Sequence, residues 1–274
     1  MINNITPTVK QLLIINIMVF VGSYFIKDLH SLFALYNLQD SHFRIWQLIT
    51  HMFMHATPAH IFFNMFALFS FGSMLEQFWG PKKFLFFYIS CGLGAALMQL
   101  GINYLEVQHF LNEVSGLNLS PATLKEILNA TLGDGVFYNP EIFRADAIPI
   151  LQSAGKFNGV TENDLDALFA AAKSVQVPMV GASGAIYGLL VAFAFMFPTA
   201  EMFIIFIPIP VKAKYFVPGI IAVDLISGIY GSSIFGDNAG GGGVAHFAHI
   251  GGAIIGFIMM WYWKKTQFNN RRWN

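Results

Sequence analysis

Ser183 and His249 are the two residues whose types and surroundings suit joint chemistry. Ser183 lies in Gly181-Ala182-Ser183-Gly184, at the opening of an apolar run. His249 lies in Ala248-His249-Ile250-Gly251-Gly252, near the start of another. A serine hydroxyl beside an imidazole is a nucleophile–base pair for acyl transfer. Placing both inside lipid is costly unless they face a protected, wet cavity. A serine at a helix N-terminus also stands beside free backbone N–H groups and the positive end of the helix dipole. A developing oxyanion is favoured there. Small residues around a serine equally suit plain helix packing, so position carries this reading more than the string itself.

Gly252 and Gly256 follow His249, and Gly184 and Gly188 lie on the serine helix. Two flat faces let helix backbones approach closely, which can bring His249 within reach of Ser183. His246 is a rival base on a similar face, but it lacks the paired glycines, so His249 is preferred. No acid stands clearly as a third member. Asp224 is a candidate, yet it sits nearer mid-span than the mouth and needs a partner that cannot be named from sequence. A dyad oriented by packing is the simpler expectation. His60 and Asn64 are four apart, so they share one helical face near the outer mouth. They could line an oxyanion hole with the Ser183 N–H, or simply join helices as a buried polar pair. Tyr187 is one turn after Ser183, placed either to stack on His249 or to pack in the core. Glu76, near Lys82 and Lys83, reads as structural. His51, His55 and His60 cluster in sequence, but without a His-Glu-x-x-His string or a carboxylate partner no metal is expected. No cofactor is expected either.

These residues need elements to hold them. The chain has 274 residues, 55% hydrophobic and only 11% charged. Soluble domains carry about 25% charged residues, so composition argues for a polytopic membrane protein, and an all-α fold is expected. Apolar stretches run over 10–27, 58–78, 83–104, 182–198, 213–232 and 245–263. Each approaches the roughly 20 helical residues that span a bilayer. Nine basic residues (Lys10, Lys82, Lys83, Lys212, Lys214, Lys264, Lys265, Arg271, Arg272) sit at one set of short ends, against Lys27 and Arg44 at the other. This predicts both termini in the cytoplasm, with Ser183 and His249 near the outer face. The N-terminus lacks a charged n-region and a cleavage site, so its first apolar run reads as a retained span. With no transit peptide in view, a bacterial inner membrane is the expected location. Zero net charge offers nothing to nucleic acid, and the single Cys91 excludes an intrachain disulfide framework.

Two segments do not read as spans. Residues 28–57 are apolar yet broken by Asp40, Arg44 and four histidines, and Trp46 suits an outer interface. Residues 106–177 carry nine acids and four bases. Ser120-Pro121 and Thr161-Glu162-Asn163-Asp164 are capped helix starts there. The expected organisation is therefore a membrane domain over 1–105, an extracytoplasmic helical insert over 106–177, and a membrane domain over 178–274. The insert connects to the serine helix through Pro178, so it can sit over the site mouth without being part of the catalytic unit.

Taken together, His60-x-x-x-Asn64, Gly181-x-Ser183-Gly184 and Ala248-His249-x-x-Gly252-x-x-x-Gly256 resemble the rhomboid intramembrane serine proteases. The resemblance covers nearly everything except 106–177. It implies a six-helix bundle, a Ser183/His249 dyad, and His60 and Asn64 in the oxyanion hole. It also implies Tyr187 against His249 and a loop over 233–244 capping the site. Trp46-Gln47 stands where the family often has Trp-Arg, which bears on loop contacts and not on the dyad. The implied partners are transmembrane protein substrates and the lipid bilayer. A transporter is a rival, since polar residues inside spans also mark ion paths, but no internal symmetry supports it. A non-catalytic chaperone on the same fold is another.

Overall fold

The computed structural model describes residues 5–133, 138–204, 207–230 and 245–266. The chain is mostly helical. Helix α1 (Pro7–Gly22) precedes a loop with short helical turns at Leu29–Phe33 and Gln47–Thr50. Helix α2 (Pro58–Trp79) includes a π-helical turn at Leu68–Gly72. Helix α3 (Pro81–Glu113) follows at once. Then come α4 (Pro121–Leu128), α5 (Pro140–Ser153) and α6 (Glu162–Gln176). Helix α7 (Ser183–Met196) leads through a hairpin of β1 (Glu201–Ile204) and β2 (Ile207–Lys212) to α8 (Ala213–Tyr230) and α9 (His246–Thr266).

Local signals account for most helix boundaries. Thr57 caps α2 by accepting from the His60 N–H, with Pro58 at the first helical position. Gly80, at φ 76°, ends α2, and Pro81 starts α3 in a new direction. Ser120 accepts from the Thr123 N–H, and Thr161 forms a reciprocal capping box with Asp164, as the sequence leads one to expect. The antiparallel hairpin is an addition to the all-α expectation. Its register pairs Glu201 with Lys212 and Met202 with Val211 across the link between α7 and α8.

By length and composition, Pro58–Trp79 and Pro81–Glu113 can each cross a membrane, while Pro7–Gly22 and Ser183–Met196 are shorter apolar helices. Their outer faces are apolar. Ile14, Ile17 and Met18 on α1, Phe62 and Phe66 on α2, Ile226 and Ile229 on α8, and Phe257 and Trp261 on α9 are all exposed. Water would penalise so wide an apolar surface, and lipid tails would not. The division expected at 105/106 falls inside α3. Residues 105–113 contain no helix breaker, so the helix continues, and Val107 joins Ile127, Phe143, Leu151, Leu168 and Ala171 in a second core. The insert thus grows from an extended α3. Its Asn129 side chain ties it to the first loop, accepting from the Ser41 N–H at 3.0 Å and donating to the Gln39 carbonyl at 3.3 Å.

Two buried polar side chains fasten the rest. Glu76 accepts from Thr6 Oγ1 (2.5 Å) and from the backbone N–H groups of Thr8 (3.0 Å) and Val9 (2.9 Å). A carboxylate on the open N–H groups of α1 satisfies donors that have no acceptor within the helix itself. Gln47 organises the first loop. Its amide N–H donates to the carbonyls of Ser31 and His42, both at 2.9 Å, and its oxygen accepts from the Arg44 N–H at 3.1 Å. Gln47 therefore serves backbone contacts within the loop.

The spacing of α3, α7 and α9 rests on missing side chains. A Cβ at Gly252 would lie 1.9 Å from the Gly184 carbonyl oxygen, and one at Gly256 2.8 Å from the Gly188 Cα. A Cβ at Gly184 would meet Ala95 at 2.3 Å, and one at Gly188 would meet Cys91 Sγ at 2.3 Å. Helix α7 is thus wedged between α3 and α9 at backbone contact. Neither backbone can yield without moving a whole helix. Gly252→Ala is expected to force α9 outward and destabilise the protein by about 1–3 kcal/mol, the usual cost of overpacking. Thermal unfolding in detergent, read beside the same change at exposed Gly101, checks this.

Candidate active site

Ser183 is the first residue of α7, and Gly181 just before it has φ 121°. That conformation suits glycine, and the space demands it as well. A Cβ there would lie 2.7 Å from His60 Nε2 and 3.6 Å from Asn64 Nδ2. The segment before Ser183 is held by backbone pairing. Leu35 and Met179 exchange N–H···O bonds at 2.9 and 2.8 Å, and the Gly181 N–H donates to the His51 carbonyl at 2.9 Å. The α7 N-terminus is therefore fixed against the first loop and against the start of α2.

His249 enters from the first turn of α9. Its Nε2 is 2.8 Å from Ser183 Oγ. The Tyr187 ring stacks on the imidazole, with centroids 4.3 Å apart and planes 11° from parallel. Ser183 and Tyr187 are one helical turn apart, so one face of α7 presents both the nucleophile and the platform for its partner. His60 and Asn64 gather at Gly181 on the other side. Asn64 is buried, and its Nδ2 has no hydrogen-bond partner among the described residues. A buried unsatisfied donor is expensive. Here it belongs to the group of polar side chains beside the serine. A cavity of about 10 Å3, at the lower limit of what admits a single water, is bounded by Ser183, Gly181, His51 and Ala248.

The structure corrects the sequence reading at Asp224. The expectation was a histidine oriented by packing alone. Instead, Asp224 Oδ2 lies 3.1 Å from His249 Nδ1, and Oδ1 lies 2.5 Å from His246 Nδ1. The Tyr187 hydroxyl interacts with the same carboxylate. Asp224 is not far from the mouth either. It lies six residues before the end of α8, level with the first turn of α9. The rival base His246 is thereby placed on Asp224, and His249 on Ser183. Sequence held one usable signal: a buried acid preceding two histidines three apart, which share a helical face.

Asp224, His246 and His249 also form the one group of metal-ligand types that gathers among the described residues. Imidazole N–H donors on a carboxylate account for that grouping without an ion. His51, His55 and His60 do not converge in this way. His51 Nδ1 turns to the Gln47 carbonyl at 2.8 Å, and His55 packs edge-on against His60. Burial holds His51 down at about 4 and His55 down at about 3, so both loop imidazoles are neutral at pH 7. The segment 233–244, expected over the site, lies outside the described residues, as do Arg271 and Arg272.

Comparison with known proteins places this geometry in a family. Residues 42–110 and 156–266 match the Rhomboid domain, and the match skips 111–155 within the insert. An uncharacterized mitochondrial rhomboid protein of Schizosaccharomyces pombe is 29% identical over 189 residues, covering 69% of this chain and 44% of that protein. The rhomboid protease GlpG of Haemophilus influenzae is 39% identical over 54 residues, 20% of this chain and 27% of the relative. The rhomboid protease GluP of Bacillus subtilis is 35% identical over 52 residues, 19% of this chain and 10% of the relative. The chain spans less than half the length of each of these relatives. Matched over more than half of its own length, with the matched segments holding every residue of the site, the chain belongs to the rhomboid family of integral membrane proteins.

Proposed function

We propose that this chain is an intramembrane serine endopeptidase that cleaves transmembrane segments of membrane proteins near the outer face of the bilayer. The observation that carries the reading is the 2.8 Å approach of His249 Nε2 to Ser183 Oγ, made at a helix N-terminus. Ser183 Oγ attacks the scissile carbonyl carbon, and its proton passes to His249 Nε2 as the carbonyl electron pair moves onto oxygen. That oxyanion is received by the Ser183 N–H and the side chains of Asn64 and His60. The tetrahedral intermediate then collapses, the C–N bond breaks, and His249 returns the proton to the leaving amine. A water deprotonated by His249 then attacks the acyl carbon, the C–Oγ bond breaks, and His249 returns the proton to Ser183 Oγ as the second product leaves. The water-sized cavity beside Ser183 supports a supply of that water.

The proposed setting is a six-span bundle of α1, α2, α3, α7, α8 and α9, with α4 to α6 as an extracytoplasmic insert. Both termini lie in the cytoplasm of a bacterial plasma membrane. Helix α7 has 14 residues, so it rises about 21 Å at 1.5 Å per residue. That is less than a hydrocarbon core of about 30 Å, which supports a serine set below the membrane surface. The substrate is a membrane-spanning helix presented laterally, with helix-destabilising residues near its outer end. Such residues free a scissile carbonyl that a regular helix would keep hydrogen-bonded.

Ser183→Ala is expected to abolish both cleavage of a transmembrane substrate and labelling by a fluorophosphonate, while the thermal transition stays in place. His249→Ala should be nearly as inactive, and the double variant little worse than either, because the pair acts as one unit. Substantial turnover by purified Ser183→Ala would overturn the assignment. A wild-type protein that neither labels nor cleaves would leave a non-catalytic member of the family.

Asn64→Ala should lower kcat by about 10- to 1000-fold, as expected for one oxyanion donor among several, with Ser183 still open to labelling. Unchanged turnover would return Asn64 to a structural role. Chelators should leave wild-type turnover unaltered.

Orientation is tested with single cysteines, because the native Cys91 is buried. Asn163→Cys in the insert should react with an impermeant maleimide on intact cells. Lys82→Cys should react only after permeabilisation.

A further inference from the structure

The structure assigns Asp224 as a positioning residue that makes the Ser183–His249 pair a triad, with His246 holding the far side of its carboxylate. This inference rests on the serine-peptidase reading above.

The argument begins with which atoms can donate. An ionised carboxylate only accepts hydrogen bonds. Asp224 faces His246 Nδ1 at 2.5 Å and His249 Nδ1 at 3.1 Å. Both Nδ1 atoms therefore carry hydrogen. For a neutral His249 this leaves Nε2 as a bare lone pair, and that is the atom 2.8 Å from Ser183 Oγ. The carboxylate thus selects the one tautomer that can take the serine proton. Stacking on Tyr187 cannot make that choice, because a ring face does not distinguish the two tautomers.

The same contact matters during the reaction. When Nε2 takes the proton, His249 becomes a cation in a buried setting. A carboxylate already on Nδ1–H stabilises that cation with no reorganisation. Among the described residues, the titratable groups facing Asp224 come from two packed helices, Tyr187 on α7 and His246 and His249 on α9. None is a lysine or arginine, so the negative charge is not spent on a permanent cation. His246 supplies an N–H donor to Oδ1, and its own Nε2 is buried without a partner among the described residues. A second donor turns the carboxylate so that Oδ2 faces His249. Burying a carboxylate is costly unless donors meet it, and here the donors are the two imidazoles, one of which also faces Ser183.

The test uses the purified full chain. Asp224→Asn keeps the shape but removes the charge and lets an amide N–H donate to Nδ1. It is expected to lower kcat on a transmembrane substrate by at least about 100-fold, against about 10,000-fold for the corresponding change in a soluble triad, with KM little changed. The acid limb of the kcat–pH profile should move to lower pH, because the histidine loses its anionic neighbour. A merely structural aspartate would lower the thermal transition and leave that limb in place. Equal kcat and an unshifted profile in Asp224→Asn, beside an active wild type, overturn the inference alone. An inactive, unlabelled wild type overturns the peptidase reading instead. Should Asp224→Asn fail to fold, 15N-histidine NMR of the wild type decides. Protonated Nδ1 and bare Nε2 at His249 support the assignment, and the opposite tautomer refutes it.

Discussion

Backbone contact between α7 and α9 is the constraint on which the rest depends. Within lipid no hydrophobic force drives one apolar helix onto another, so association comes from close packing and hydrogen bonds. Gly184 and Gly188 on one helix meet Gly252 and Gly256 on the other at distances that no Cβ would tolerate. Ser183 precedes the first of these glycines by one residue, and His249 precedes Gly252 by three. The meeting of hydroxyl and imidazole at 2.8 Å is thus a by-product of how the helices touch. Helix α3 completes the wedge through Ala95 and Cys91, so α7 has little freedom to slide away from its partner.

A second constraint follows from the first. Helices packed this tightly, with apolar outer faces, leave few places for polar side chains, and those buried among them must find partners. Glu76 is placed on the open end of α1, Gln47 on loop carbonyls, and Asp224 on two imidazoles. The Asn64 amide is one exception, since its Nδ2 is buried beside Gly181 with no partner among the described residues. Glu76 and Gln47 join one segment to another. Asn64 keeps free hydrogen-bonding capacity at the place where the proposed reaction develops negative charge.

The site residues and most elements were legible in the sequence, because each carries a local signal. Glycine pairs four apart mark a close helix face, Ser120 and Thr161 mark helix starts, and Gly80-Pro81 marks a break. His60 and Asn64 share a face through helical spacing alone. The extent of α3 was less legible. Hydrophobicity falls near residue 105, but nothing stops helix propagation before Glu113, and hydropathy reports the surroundings of a helix and not its length. The hairpin after α7 was also missed, since two short strands around prolines leave only a weak alternating pattern.

The partners of Asp224 were decided only by the tertiary structure. Sequence alone established that an acid lies in an apolar helix and so requires a donor. It also established that His246 and His249 share a face. Which of them reaches Ser183, and which side of each ring meets the carboxylate, depends on how α8 rotates and how deep it sits against α9. Helical periodicity sets neither, because it fixes angles about one axis and says nothing about the offset between two. That offset comes from packing at contacts such as Gly228 against His246 and Phe247. The covalent order of the chain therefore determined which chemical groups were available, and three-dimensional packing determined which of their atoms meet.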